Sequence, residues 1–229
     1  DTHIRYATLD LWAKFPDFQT RLRDQIIRRQ ALDRIMIGFN GTTAANTTNR
    51  ATNPLLQDVN IGWIQKWTAD KAANVVTQGA TAGQVKVGAA GDYKNMDALV
   101  YDVVNSLIDP WYRQDPGLVV VLSRDLLADK YFPMLNQSLA PSEQLAADMV
   151  ISQKRMGGLQ AVAVPFMPAT QLLITTLDNL SIYYQEGSRR RTISDNAKRD
   201  RIENYESSND AYVVEDYGRG CVVKNITLV

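Results

Sequence analysis

A long amphipathic segment near the start of the chain constrains the fold more than any other feature. Between Pro16 and Ile37 the apolar residues recur at steps of three and four, which predicts a single helix with one apolar face. That face is expected to contain Phe18, Leu22, Ile26, Ile27, Ala31 and Ile35. Pro16 suits a first helical turn, and Gly38 with the Asn40-Gly41 pair predicts the end. About 22 helical residues span ~33 Å, so we expect a rod on which two separate pieces of chain can pack.

The middle of the chain predicts helices around one buried strand. Leu118–Leu122 has no polar alternation, so it predicts a strand that is buried on both faces. The helices are expected at Ile61–Lys66, at Asp92–Asp109 with a cap near Asn95, from a Ser123 cap to a stop near Pro133, and from a Ser142 cap through Ile151. Two segments lack such patterns: Asn40–Pro54 predicts an exposed loop, and Thr68–Asp92 predicts a mobile linker or hairpin.

From Leu159 onward the apolar period changes to two, which is typical of strands. The predicted strands, together with a strand end at Asp1–Tyr6, are Ala161–Val164, Leu172–Thr175, Leu180–Gln185, Ile202–Glu206, Ala211–Asp216 and Cys221–Leu228. Ser188–Arg201 is interpreted as a polar, charged stretch between two of them. An antiparallel set that follows alternating helices and a buried strand indicates an α+β protein in two lobes. The closing strands need a helix to cover them, and the long rod would make the first lobe discontinuous in sequence.

Composition weighs against several classes of function. The 229 residues carry 25 Lys and Arg and 25 Asp and Glu, so the formal net charge is zero, whereas a general nucleic-acid binder usually has a basic excess. His3 is the only histidine and Cys221 the only cysteine, so histidine-based nucleophilic catalysis, a histidine-rich zinc site and an internal disulfide all lack parts. Cys221 is interpreted as a small apolar strand residue. No apolar run approaches the ~20 residues of a membrane span, and no cofactor or metal ion is expected.

Three groups of residues leave more than one interpretation open. Asp109 and Asp115 could serve a carboxylate-based hydrolase, but capping and solvation explain such residues as well. The run Arg189–Arg191 could contact phosphate, yet acidic residues follow it closely, which favours a charge-complementary protein interface. Four aromatic residues could line a ligand pocket or anchor a core or an interface. They are Trp63, Trp67, Trp111 and Tyr112. Without a complete catalytic set, the sequence suits assembly better than turnover.

Five long stretches of the sequence carry a resemblance to a known family. They are NPLLQDVNIGWIQKW, DALVYDVVNSLIDPWYRQDPGLVVVLSRDLLADKYFP, ISQKRMGGLQAVAVPFMP, LLITTLDNLSIYYQEGSRRRTI and RIENYESSNDAYVVEDYGRGC. Together they resemble the major capsid proteins of P2-like tailed phages, the peduoviruses, from about Ile4 to Leu228. The segments Asn40–Pro54 and Thr68–Gly91 match least.

The resemblance implies a Hong Kong 97-type capsid fold. In that α+β fold a long spine helix packs on an antiparallel sheet to form a peripheral domain, and an α/β axial domain is separate. Residues 1–59, with the spine helix at 16–37, and residues 192–229 would form the peripheral domain, and residues 60–191 the axial domain. Family members also carry an N-terminal arm and an extended loop that clasp neighbouring subunits, after a segment that a maturation protease removes. We therefore expect this chain to be a fragment that lacks that region.

The function that the resemblance implies is structural. The chain would be a subunit of an icosahedral phage head, assembled in the host cytoplasm into pentamers and hexamers that enclose double-stranded DNA without sequence-specific binding. A scaffolding protein and a maturation protease would be its partners during assembly, and no membrane, catalytic residue or cofactor would be involved. Contacts between subunits are expected at Trp111, Tyr112, Gln137, Ser138, Pro165, Pro168, Arg189, Arg190 and Arg191. The alternatives are another virion assembly protein, such as a tail or head-completion ring, a carboxylate-based hydrolase, or a nucleic-acid binder.

Overall fold

The computed structural model describes residues 1–135 and 153–229, which form a mixed α/β structure. The helices in these ranges are α1 Tyr6–Trp12, α2 Phe18–Asn40, α3 Trp63–Asp70, α4 Met96–Leu107 and α5 Arg124–Leu135. The strands are β1 Thr2–Arg5, β2 Val75–Val76, β3 Val85–Val87, β4 Leu118–Leu122, β5 Arg155–Met156, β6 Leu159–Ala163, β7 Leu172–Thr176, β8 Leu180–Tyr184, β9 Arg190–Asn196, β10 Arg201–Ser207, β11 Asp210–Val214, β12 Cys221–Val223 and β13 Ile226–Leu228.

The chain divides into two compact units, each built from two separated pieces of sequence. Unit 1 contains Asp1–Arg34 and Ile182–Ala211, and unit 2 contains Ile35–Ser181 and Tyr212–Val229. The chain passes from one unit to the other within α2, β8 and β11. Each unit therefore depends on contacts between segments that are far apart in the sequence.

Unit 1 consists of a three-stranded antiparallel sheet and the first part of α2. The strand order is β1-β10-β9, and the register pairs Ile4 with Ile202 and Asn204 with Ile193. Leu22 and Ile26 of α2 are only half-buried, and the single fully buried residue among those described in this unit is Glu203. Unit 1 therefore has a sheet and a helix but no sealed apolar core.

Unit 2 is organised around a six-stranded mixed sheet with the order β2-β12-β7-β4-β6-β5. Every residue of β4 and β7 is buried, because both faces of the sheet are covered. Along β4, Leu118, Val120 and Leu122 join one apolar cluster, whereas Val119 and Val121 join another. The period of two along a strand places successive side chains on opposite faces. The sheet therefore separates two cores.

The first core packs under the helix α4, and the second surrounds two tryptophans. Leu99, Val100 and Val103 supply the buried stripe of α4, whose start is capped by the Asn95 side chain accepting from the Ala98 N–H at 2.8 Å. In the second core the Trp63 ring meets Phe39 and Tyr212 edge-on at centroid distances of 5.3 and 5.2 Å. The elements predicted for this part of the sequence, β4, α4 and β7, are confirmed.

The long helix is present, but its bounds and its apolar face differ from the prediction. It runs from Phe18 to Asn40, so Gly38 lies inside the helix instead of ending it. Gly38 has a packing role, because a Cβ there would lie 2.3 Å from the Trp63 ring. Ile27 and Ala31, predicted on the buried face, are exposed. Ile27 does line the same cleft as Leu22 and Ile26, as the spacing predicts. It stays exposed because unit 1 has too few apolar side chains to cover it.

Two segments that were interpreted as a mobile linker or hairpin and as a polar, charged stretch contain strands. In Thr68–Asp92, β2 and β3 do not form a hairpin with each other but pair in parallel with β12 and β13. Ser188–Arg201 contains β9, which pairs with β10 along seven residues. β2 and β3 pair with segments that are distant along the chain, which short-range patterns do not reveal. β9 instead forms a local hairpin with β10, the next strand along the chain.

Smaller differences concern element ends. Cys221–Leu228 is two strands interrupted at Lys224-Asn225, where Asn225 has φ of 57°. The helix α5, capped by the Ser123 hydroxyl accepting from the Leu126 N–H at 3.2 Å, continues past Pro133 to Leu135. The predicted helix from Ser142 lies outside the described residues. Within 1–135 and 153–229, none of the helices combines the length and apolarity that crossing a bilayer requires.

Candidate inter-subunit contact surfaces

The loop between α4 and β4 presents an aromatic pair to solvent. The α4 helix stops at Leu107, and the turn that follows leaves the Trp111 side chain 71% exposed. The Tyr112 ring packs edge-on against the indole at a centroid distance of 6.0 Å. Tyr112 is itself fixed, because its hydroxyl donates to Asp216 Oδ2 at 2.7 Å. The hydrogen bond to this carboxylate raises the Tyr112 pKa, so the phenol stays a donor at neutral pH.

Arg219 connects the loop that carries this aromatic pair to neighbouring segments of unit 2. Its guanidinium donates from Nη2 to Asp115 Oδ2 at 2.8 Å and from Nη1 to Asp178 Oδ2 at 3.1 Å. It also lies over the Tyr112 ring, 5.7 Å from the centroid. The Arg219 hydrogen bond lowers the pKa of Asp115, and the same bond raises the pKa of Arg219, so both groups are charged at neutral pH. These two ion pairs, which we call the Arg219 fork, join the α4–β4 loop to the end of β7 and to the turn before β12.

These residues form one continuous surface of unit 2, which we call the Trp111 surface. It comprises Trp111, Tyr112, Asp115, Leu177, Asp178 and Arg219. Leu177 is 56% exposed, and the Asp178 side chain is 69% exposed. The sequence analysis identified the two aromatic residues but missed the Arg219 fork. No local pattern signals it, because Arg219 is separated from Asp115 by 104 residues and from Asp178 by 41 residues along the chain.

Two other sequence-predicted residues of unit 2 lie in a different loop. Pro165 is exposed and Pro168 half-buried, in the loop between β6 and β7. That loop is held by Asn40, whose Nδ2 donates to the Phe166 carbonyl at 2.8 Å, while Phe166 has a left-handed φ of 64°. Gln137 and Ser138 lie outside the described residues. Trp63 and Trp67, which could have lined a pocket, are instead buried in the second core.

The basic run lies at the start of an edge strand in unit 1. Arg189 precedes β9, and Arg190 and Arg191 are its first residues, all three exposed. Arg191 is paired within unit 1, since its Nε lies 3.0 Å from Asn204 Oδ1 and 3.2 Å from Glu206 Oε1. The Arg190 side chain points to the opposite face of the sheet and makes no hydrogen bond or ion pair with any residue among 1–135 and 153–229. The structure therefore separates one paired arginine from one that is available.

Between the sheet and α2, unit 1 contains an open cleft of about 630 Å³. Its apolar lining is Ile4, Leu22, Ile26, Ile27, Ile193 and Ile202. Glu206 is the one acidic residue in the lining, and it accepts from Gln30 Nε2 at 3.1 Å. A cleft with a single, hydrogen-bonded carboxylate lacks the second acid that a glycosidase-type hydrolase requires.

The geometry of the other acidic residues also disfavours the hydrolase alternative. Asp115 accepts from Arg219 and from the Gly117 N–H at 2.8 Å, and both bonds lower its pKa, whereas a general acid needs a raised one. In the described part of the chain, no three His, Cys, Asp or Glu residues are grouped so that they could hold a metal ion. Burial raises the pKa of the Cys221 thiol, which keeps it protonated and unreactive.

Comparison with known proteins decides the family. The family model described as "Phage major capsid protein, P2 family" matches residues 1–226. The chain belongs to this family. It is 56% identical to the "Capsid proteins" of Escherichia phage P2, covering 99% of this chain and 65% of that protein. It is 42% identical to the "Major capsid protein" of Serratia phage KSP20, covering 99% of this chain and 67% of that one. The chain thus spans about two thirds of the length of these curated relatives.

Solved structures place the fold among phage capsids. One match is a chain from the structure of the satellite phage P4 procapsid, a particle that includes the size determination protein. The TM-score is 0.93 and the sequence identity 52%, and the match covers 100% of this chain and 69% of that one. The capsid of cyanophage A-1(L) matches with a TM-score of 0.59 at 13% identity, over 99% of this chain and 76% of that one, which concerns the fold alone. The predicted α+β capsid fold is confirmed, and the family is one of structural capsid proteins rather than enzymes.

Proposed function

We propose that this chain is the folded body of a shell subunit in an icosahedral phage head. The observation that carries the proposal is its similarity, over its whole length, to a chain of the P4 procapsid at 52% identity. Copies of the subunit would associate into pentamers and hexamers and enclose double-stranded DNA. The virion capsid would be its location, reached by assembly in the host cytoplasm.

The distribution of surface properties supports assembly from repeated copies. The Trp111 surface belongs to unit 2 and the basic run belongs to unit 1, so the two surfaces differ. Contacts between two different patches are heterologous, and such contacts generate closed rings when the rotation between copies allows it. The exposed apolar residues that line the unit 1 cleft fit a protein whose outer faces meet other subunits.

The domain assignment remains part of the proposal. Residues 1–59 and 192–229 would form the peripheral domain around the spine helix, and residues 60–191 the axial domain around the ring axes. The loops with Gln137, Ser138, Pro165 and Pro168 would then lie near the axis. A scaffolding protein and a maturation protease would act on the subunit during assembly, and packaged DNA would contact it without sequence specificity, as the neutral net charge supports.

The test is particle formation by the full-length protein, expressed together with the other head-assembly proteins of its phage. Negative-stain electron microscopy and sucrose gradients would measure the yield of shells. We expect closed shells whose wall is made of this protein. If the protein is synthesised and folded but enters no particle, and heads form without it, the proposed function is wrong.

A further inference from the structure

The Trp111 surface has the composition of an interface centre. Exposed tryptophan, tyrosine and arginine are the residue types that contribute most to binding energy in protein interfaces. Here the Tyr112 ring is fixed in the unbound chain by the hydrogen bond from its hydroxyl to Asp216 and by the Arg219 guanidinium over its face. The Trp111 ring packs on this fixed tyrosine. A side chain that is already fixed loses little entropy on binding, so such an anchor binds more tightly than a mobile one. An isolated role in folding would not require Trp111 and Leu177 to remain exposed.

The charges around this surface indicate the chemistry of the partner. Asp115 and Asp178 share one guanidinium, and Asp178 keeps most of its side chain exposed to accept from another cation. Unit 1 can supply such a cation, since its two segments contain 13 basic and 11 acidic residues. A carboxylate on one copy and a guanidinium on another are complementary groups for a contact between copies.

Arg190 is the group in unit 1 that fits this surface. It is exposed on the outer side of β9 and has no ion-pair partner within the described residues. Arg189 precedes it and is also exposed, but it lines the cleft of unit 1 on the other side of the sheet. A guanidinium is planar and can stack on an indole while it donates to a carboxylate. The Trp111 surface offers both groups, an exposed indole at Trp111 and an exposed carboxylate at Asp178, which are connected through Tyr112 and Arg219.

We propose that the Trp111 surface of one subunit binds the Arg189–Arg190 segment of a second copy of this chain. Arg190 of the second copy would stack on Trp111 and donate to Asp178, and Leu177 would be covered in the same contact. The contact is heterologous, so it leaves a free Trp111 surface at one end and a free Arg190 at the other, as ring closure needs. This inference rests on the proposed function, since it names the partner surface within the shell.

A charge exchange in the full-length protein tests the contact. Arg190→Glu and Asp178→Arg should each lower the shell yield by about tenfold or more, because each places like charges together. The double variant with both substitutions should restore the yield to within about threefold of wild type, because the attraction is re-formed with opposite polarity. Trp111→Ala should lower the yield as well. Tyr101→Ala, at an exposed aromatic residue of α4, is the matched control and should assemble normally.

The outcomes separate this inference from the proposed function. Each variant is first confirmed as folded by circular dichroism, so that a loss of shells reports on assembly. If shells form normally in both single variants, or if the double variant is no better than the worse single one, the contact is wrong while the shell role stands. If wild type itself enters no shell, the proposed function has failed.

A pair of cysteines gives a direct measure of the same contact. The native Cys221 is buried, so introduced cysteines are the reactive thiols. Subunits with Asp178→Cys and differently tagged subunits with Arg190→Cys, co-assembled and oxidised, should yield a disulfide-linked pair with both tags. Trapping of Tyr101→Cys with Arg190→Cys at the same level would contradict the proposed contact.

Discussion

Unit 1 and unit 2 solve the problem of burying apolar side chains in opposite ways. Unit 2 seals two cores on the faces of one sheet, with Trp67, Leu99 and Ile174 fully buried. Unit 1 pairs a sheet with a helix yet leaves Ile193 61% and Ile27 55% exposed. The fully buried residue in the described part of unit 1 is a charged one, Glu203. The difference teaches that the free energy of folding is concentrated in unit 2, while unit 1 keeps apolar surface for other contacts.

The two units also differ in how their polar groups are held. In unit 2, Asn179 is buried and uses both ends of its amide, donating to the Asp216 carbonyl and accepting from the Asp216 N–H at 2.9 and 2.8 Å. In unit 1, Glu203 accepts from Tyr205 and Arg201 at 2.5 Å each and from Asn196 at 3.1 Å. A neutral network holds its strength over a wide pH range, whereas a carboxylate at a network centre makes stability depend on its ionisation.

The largest expected effect is on the free energy of unfolding, and it distinguishes a buried position of unit 2 from an exposed position of unit 1. Ile174→Ala removes a fully buried side chain from β7 and should lower the free energy of unfolding by about 2–5 kcal/mol. Ile193→Ala, the same chemical change at an exposed position of β9, should change it by less than about 0.5 kcal/mol. Urea unfolding followed by tryptophan fluorescence measures both. Equal losses for the two variants would contradict the comparison.

A smaller effect is expected where α2 passes close to Trp63. Gly→Ala in a helix normally stabilises by about 0.5–1 kcal/mol. Gly38→Ala should instead destabilise by about 1–3 kcal/mol, because the added methyl would overlap the Trp63 ring, which is held by Phe39 and Tyr212. Thermal unfolding monitored by circular dichroism gives the sign. Gly38→Ala combined with Trp63→Phe should recover part of the loss, and a stabilised single variant would show that the ring moves aside freely.

The smallest effect concerns acid sensitivity in unit 1. Hydrogen bonds from Tyr205 and Arg201 lower the Glu203 pKa from 4.5 to about 2. The carboxylate therefore stabilises unit 1 above pH 4.5, and this contribution is lost as the pH falls from 4.5 towards 2. The protection of the β9 and β10 amides, after correction for the intrinsic exchange rate at each pH, should decrease as the pH falls over this range in wild type and change less in Glu203→Gln.

The control for that experiment is Glu186→Gln, at an exposed acidic residue in the loop before β9. Its exchange profile should follow wild type. If Glu203→Gln keeps the full acid response, the response belongs to other carboxylates and the role assigned to Glu203 is wrong.

Sequence patterns were sufficient where an element's burial is decided locally. Leu118–Leu122 has no polar residue and is the central buried strand, and Asn95 with the apolar stripe after it gives the cap and the face of α4. The patterns failed where the hydrogen bonds of a partner strand decide. Val85–Val87 pairs with a distant segment, Ile226–Leu228. β9 has Ile193 as its one apolar residue and becomes a strand because the neighbouring β10 supplies its hydrogen bonds.

The candidate contact surface was only half predictable for the same reason. Trp111 and Tyr112 are conspicuous in the sequence as adjacent aromatics before a buried strand. The fork that organises them joins Arg219 to Asp115 and Asp178, at sequence separations of 104 and 41 residues, and the topology of the sheet brings these together. Trp111 is exposed whereas Trp67 is buried. This difference follows from the packing around each residue, so it could not be predicted from the amino-acid composition.

Amide hydrogen exchange of the free chain and of the same residues within assembled full-length shells tests the central claim most directly. In the free chain, amides of β4 and β7 should exchange slowly, and those of β9 and the first turns of α2 should exchange quickly. On assembly, unit 1 and the Arg189–Arg190 segment should gain protection of about tenfold or more, while β4 and β7 change little. Unit 1 amides that are as protected in the free chain as in the shell would contradict the account, since unit 1 would then be complete without its neighbours.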